Sequence, residues 1–147
     1  MSATGYSPAT LRAKLTLGVA AALATAALVL SSGASPARAD SYGCTWAPYG
    51  NVCILIEGSG LYVSHVRVRR AKIDWSLICS YQGRMTVRDA SGRLIDSRWS
   101  LYHGGCSVAW AWFDWYPRRT YPHGSKVCTS FFEGGVLQGR PCNYVYR

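Results

Sequence analysis

Three histidines, His65, His103 and His123, are the side chains best suited to moving a proton near neutral pH, and Asp74, Asp89, Asp96 and Asp114 are available to orient them. Residue types alone do not make a hydrolase. The chain has no G-x-S-x-G elbow, no H-E-x-x-H pair and no phosphate-cradling glycine loop. Paired carboxylates for glycoside hydrolysis would have to lie within about 5–10 Å of each other. Of the four aspartates only Asp114 falls in the aromatic stretch where a sugar could be held. There is no C-x-x-C pair and no histidine at ligand spacing from two cysteines, so no metal ligands are assigned. A cysteine nucleophile is ruled out if all six cysteines are bridged. No catalytic residue and no cofactor is therefore expected.

Binding chemistry is concentrated in residues 106–128, CSVAWAWFDWYPRRTYPHGSKVC, which hold three of the six tryptophans together with Arg118 and Arg119. Alternation along a strand divides this stretch. If Cys106 points into a bridged core, Val108, Trp110 and Trp112 share its face, and both tryptophans become core wall. Phe113 and Trp115 then lie on the opposite face beside Tyr116, Arg118, Arg119 and Tyr121. These six are the predicted ligand-binding residues: exposed aromatic rings can stack on sugars, and guanidinium groups grip phosphates or carboxylates. A second basic surface is predicted from Arg67, Arg69, Arg70 and Lys72, joined by Arg84 and Arg88, and reads most simply as a solvated sheet face.

The elements that position these residues begin after an export signal. Arg12 and Lys14 precede an apolar run over 15–30, and Ala37-Arg38-Ala39 supplies a small-x-small cleavage site, so residues 1–39 are predicted to be a secretory signal peptide cut before Asp40. The two basic residues are not adjacent, which points to the general secretory route rather than twin-arginine export. No second apolar span follows, so no transmembrane segment is expected after cleavage. The leader carries three of the sixteen basic residues and none of the seven acidic ones, which leaves the mature 40–147 with a net charge of +6. Such an excess favours an anionic surface such as a cell-wall polymer; without a recognisable motif, and outside the cell, nucleic acid is not an expected partner.

All six cysteines fall within 40–147, and an even count in a short exported chain reads as three disulfides. Fifteen pairings exist. The nearest-neighbour scheme, Cys44–Cys53, Cys79–Cys106 and Cys128–Cys142, is preferred because two of its pairs bracket predicted turns, at 47–50 and at Glu133-Gly134-Gly135. Val66 and Val68 alternate with Arg67 and Arg69, and Met85 and Val87 with Arg84, Thr86 and Arg88, the period of half-buried strands. Gly83 is expected to mark a bulge, residues 89–92 a turn, and His103-Gly104-Gly105 another. Ile95, Trp99 and Leu101 are expected on one face of the following strand, opposite Leu94, Asp96, Arg98 and Ser100. With no helical period, the mature chain is predicted to be one all-β domain, a small disulfide-stapled antiparallel β-sandwich or barrel.

The alanine-rich leader ending ARA-D, the short domain of paired cysteines and the C-terminal KVCTSFFEGG…GRPCNYVYR resemble small secreted proteins of streptomycetes and related actinobacteria. The resemblance implies export and carries no functional residues over, since such proteins mostly lack an assigned activity. The expected function is a non-enzymatic extracellular domain that binds an anionic or glycan-bearing partner at the cell envelope. The alternatives are a cationic secreted toxin or antimicrobial, or an inhibitor presenting residues 116–124 as a rigid loop.

Overall fold

A computed structural model describes residues 40–147; the predicted signal peptide lies outside the described residues. The strands are β1 (Ser41–Ala47), β2 (Gly50–Ser59), β3 (Tyr62–Lys72), β4 (Leu77–Arg88), β5 (Leu94–Trp99), β6 (His103–Val108), β7 (Trp110–Trp115), β8 (Arg119–Thr120), β9 (Ser125–Glu133), β10 (Val136–Gly139) and β11 (Cys142–Val145). They form two antiparallel sheets that do not close into a barrel, so of the two predicted architectures the sandwich is the one adopted. The first sheet has the order β1-β2-β3-β7, with β8 also on β3. The second is built on the long pair β9 and β4, with β10 and β11 in series along the free side of β9 and β5 and β6 along that of β4.

Turn chemistry sets the hairpins. Pro48 and Tyr49, the latter at φ 61°, join β1 to β2, and Gly134 and Gly135, at φ 57° and 79°, join β9 to β10. Positive φ at both central residues matches the right-handed twist of the flanking strands, which favours glycine there. Between β4 and β5 the Asp89 carboxylate accepts hydrogen bonds from the Ser91 and Arg93 amides, while Gly92 N–H donates to the Asp89 carbonyl.

Alternation buries Val52, Ile54 and Ile56 of β2 and Val66 and Val68 of β3 against Met85 and Val87 of β4 and Val127 and Phe131 of β9. Burying each such side chain contributes roughly 1.5–3 kcal/mol. Two irregularities reset the alternation. One lies opposite Gly58, so that Val63 and Val66 both point inward; the other is at Ser80 (φ 52°), so that Ile78 and Tyr81 both do. The bulge expected at Gly83 is thus found at Ser80. Gly83 sits in regular ladder, where Phe113 and Trp115 of β7 leave no room for a side chain.

Two further expectations are corrected. His103-Gly104-Gly105 is the start of β6 rather than a turn, the connection being residues 100–102. In β5, Trp99 and Leu101 share an exposed face opposite Asp96 and Arg98, which pair with the inward Val87 and Met85. A register shift at Val87/Arg88, however, takes Ile95 off that face and packs it against the core. The shift inserts one residue and so exchanges the two faces of the strand.

The three disulfides are Cys44–Cys53, Cys79–Cys106 and Cys128–Cys142, as expected, and no cysteine is free. Each joins residues directly opposite one another in paired strands. All three occupy outward positions, because the inward ones are filled by branched and aromatic side chains. Three disulfides in so small a domain suit an oxidising, extracellular-type compartment.

Candidate binding face

The outward location of Cys106 inverts the expected reading of the aromatic segment. Cys106, Val108, Trp110 and Trp112 do share a parity, but it is the solvent-facing one, and Trp110 and Trp112 are 55% and 45% exposed. The chain leaves the second sheet for the first at Ala109, whose φ of 62° turns the corner and whose carbonyl accepts from Lys72 N–H. Along β7, Ala111, Phe113 and Trp115 then face the core. Of the six predicted binding residues, Trp115 (6% exposed) and Tyr121 (1%) are core members, and Phe113 is partly buried against them. Tyr116, Arg118 and Arg119 remain at the surface.

Those six side chains therefore do not converge on one surface. Tyr116 stacks on His65 with ring centroids 4.9 Å apart, while Arg118 leans over Tyr116. Arg119 lies over Tyr121 and 4.0 Å from Asp96. The Tyr121 hydroxyl donates to Asp96 Oδ2 at 2.7 Å, beside Arg98 at 3.1 Å. Burial, reinforced by this bond, pushes the Tyr121 phenol up. Burial alone would raise Asp96, but the hydrogen bonds from Arg98 and Tyr121 outweigh it and hold the carboxyl below its ordinary range. The segment between β7 and β9 is accordingly strapped down, with β8 paired to β3 and Tyr121 anchored beneath it.

The structure instead gathers aromatic groups on the outer face of the first sheet. Register places Trp46, Asn51, Ala71 and Trp110 in one cross-strand row from β1 to β7. The next row is Cys44, Cys53, Arg69 and Trp112, and the one after it Tyr42, Leu55, Arg67 and Asp114. At about 4.8 Å per strand the rims of such a row are roughly 14 Å apart. Trp46, 86% exposed, stands on one rim; Trp110 and Trp112, stacked at 5.2 Å, stand on the other. The floor between them is Ala71, Asn51 and the Cys44–Cys53 bridge, all low side chains, with the exposed Arg69 standing beside Trp112, which makes a trough. Trp75, in the β3–β4 connection, extends it beside Trp110 and Arg69. A cross-strand disulfide and four paired strands hold the rims at a fixed spacing.

Charge on this face is nearly balanced. Asp114 accepts from Arg67 Nε at 2.7 Å and lies 2.7 Å from His65 Nε2, while His65 Nδ1 is 3.0 Å from Glu57. Burial pushes Asp114 up, yet the bonds from Arg67 and His65 prevail and its pKa falls below the ordinary carboxylate value. The same bond raises Arg67. Of the sequence's proton-transfer candidates, only His65 and Asp114 are brought together, and both ring nitrogens of His65 are occupied by carboxylates. His103 and His123 lie apart, against Tyr81 and Tyr146.

The predicted second basic surface also divides. Arg67 and Arg69 point outward from the first sheet, but Arg70 is fully buried and donates to the carbonyls of Pro48, Asn51 and Ala71. Desolvation lowers its pKa. Lys72 pairs with Glu133 at 2.8 Å. Arg84 and Arg88 belong to the second sheet and face the opposite side of the sandwich.

Sequence reasoning missed Trp46, Asn51, Arg69, Trp110 and Trp112 as a common surface. The signal was present in AWAW, where alanines at alternate positions leave room for a facing sheet and the tryptophans take the other side. Compared with known proteins, the chain matches no protein-family model and no curated sequence.

Proposed function

We propose that the protein is exported by the general secretory route and acts outside the cell as a non-catalytic module that binds glycan chains of the cell envelope in the trough of the first sheet. The observation that carries the reading is the set of solvent-exposed tryptophans on two rims of a disulfide-locked sheet, with a low polar floor between them. Sugar rings present apolar C–H faces that pack on aromatic rings, while their hydroxyls need hydrogen-bonding neighbours such as Asn51 and Arg69. Contiguous exposed aromatic surface of this kind marks interaction sites. Near-neutral charge on the face favours the sugar ring itself over an anionic substituent.

Sedimentation of the protein, expressed from its full-length sequence, with insoluble cell-wall polysaccharide tests the proposal. A Trp110→Ala/Trp112→Ala variant is expected to bind at least about tenfold more weakly, since such anchors dominate binding energy. Trp99→Ala, which removes an exposed tryptophan from the opposite sheet, should bind as the parent does. Unchanged retention in the double variant, or equal loss in Trp99→Ala, contradicts the proposal.

A further inference from the structure

The outer face of the second sheet has a different chemistry. Arg84 and Arg88 of β4, Lys126 of β9 and Arg140 after β10 all lie on it. None of the four forms an ion pair among the described residues. Every one of the seven acidic residues is engaged elsewhere. Asp40 accepts from Gly58 N–H, and Glu57 and Asp114 hold His65 and Arg67. Asp74 caps Ser76, Asp96 holds Arg98 and Tyr121, and Glu133 holds Lys72. Asp89, next to Arg88 in sequence, is taken up by Ser91 and Arg93. The face is thus cationic with no counter-charge of its own.

Three of these guanidinium groups line one depression. Arg84, Arg88 and Arg140 line it together with Thr86 and Ser130, each of these two residues 7% exposed, and Leu94, Phe132 and Leu137 complete the wall. Arg84 is held in place: its Nε and Nη2 donate to Ser97 Oγ at 3.2 and 3.1 Å, and its guanidinium lies 5.0 Å from the Trp99 ring centre. Arg88 is fixed by one bond from Nη1 to the Gly92 carbonyl at 2.7 Å. Arg84 Nη1 and Arg88 Nε and Nη2 have no acceptor among the described residues.

We propose that this depression is a phosphate-binding site, taking a phosphate monoester group. A carboxylate offers two oxygens in a plane and is satisfied by one guanidinium fork. Three guanidinium groups and two hydroxyls lining one depression match a tetrahedral group with three free oxygens. A monoester carries close to two negative charges at neutral pH and a sulfate ester one, so the phosphate is held more tightly by the three cations. The site lies on the side of the sandwich opposite the tryptophan trough, so the two ligands bind without competing.

The test is an NMR titration of arginine Nε–Hε resonances in the protein expressed from its full-length sequence, with glucose 6-phosphate, glucose 6-sulfate and glucuronate as probes. Saturable shifts at Arg84 and Arg88 are expected with glucose 6-phosphate, with an affinity roughly tenfold above that of the sulfate ester and higher still over glucuronate. Arg84→Gln/Arg88→Gln should weaken binding at least about tenfold. Arg69→Gln/Arg118→Gln, which removes the same charge from the side of the first sheet, and Trp110→Ala/Trp112→Ala should leave it within about twofold. Arg84→Lys/Arg88→Lys keeps the charge without the forks and should lose most of the affinity. Equal weakening in both glutamine pairs, full binding by the lysine pair, or equal response to all three probes overturns the proposal. Unfolding midpoints of the variants, expected to match the parent, keep a loss of binding from being confused with a loss of fold.

Discussion

Gly83→Ala is the substitution that most sharply probes how β7 is seated. A Cβ at Gly83 would stand 2.8 Å from Phe113 Cδ2, 3.0 Å from Trp115 Cη2 and 3.3 Å from Trp115 Cζ2. These are ring atoms wedged between two sheets, so neither can swing aside as the tip of a lysine would. Overpacking of this kind costs about 1–3 kcal/mol. Alanine also restricts the unfolded chain, which offsets roughly 0.4–1 kcal/mol. A net loss of about 1–2 kcal/mol remains, or a fall of roughly 4–8 °C in the unfolding midpoint for a domain of this size. Thermal unfolding with disulfides intact measures it. In a Phe113→Val background the ring in closest contact is gone, and the cost of adding the methyl should fall by at least about 0.5 kcal/mol, the coupling expected of touching residues. An unchanged or raised midpoint for Gly83→Ala, or full additivity with Phe113→Val, would refute the inward seating of Phe113 and Trp115. With it would go the outward presentation of Trp110 and Trp112.

Other consequences concern stability. Asp96 and Asp114 both have folded-state pKa values below the ordinary 3.8, so the unfolded chain binds protons more readily. The stability they contribute is fully present above about pH 5 and is lost as pH falls through 3.8 toward the folded values. Asp96→Asn should therefore lower stability at pH 7 by about 1–2 kcal/mol and flatten the acid limb of a pH–stability profile; an acid limb as steep as the parent's would show that Asp96 does not contribute to it. Among the disulfides, Cys79–Cys106 spans 27 residues against 14 and 9 for the others. Chain-entropy reasoning gives it about 3.5 kcal/mol and Cys44–Cys53 about 2.6 kcal/mol. Paired serine substitutions compared by denaturant unfolding should follow that order, and a reversed order would mean that native contacts around each bridge decide instead.

Much of the fold was legible because its determinants are local. Pro48-Tyr49, Asp89–Gly92 and Gly134-Gly135 encode turns through their own backbone preferences, and cysteines equidistant from a turn must face one another once the hairpin closes. What was not legible depends on which face of a strand meets the other sheet. Bulges at Ser64 and Ser80 and the register shift at Val87/Arg88 exchange inside for outside, and neither serine advertises it. The site reading failed on the same point: assuming an inward Cys106 sent Trp110 and Trp112 to the core and Trp115 and Tyr121 to the surface. Arg70 shows the limit of charge as a guide, since an arginine in a run of basic residues is fully buried by three carbonyl acceptors.

The binding proposal is tested most directly by following the six tryptophan indole N–H resonances while titrating soluble fragments of cell-wall polysaccharide. Trp46, Trp110 and Trp112 should shift saturably together, with Trp75 beside them, while Trp99 on the opposite sheet and Trp115 in the core stay in place. Shifts confined to Trp99 or Trp115, or no shift at Trp110 and Trp112, would contradict a glycan-binding trough on the first sheet.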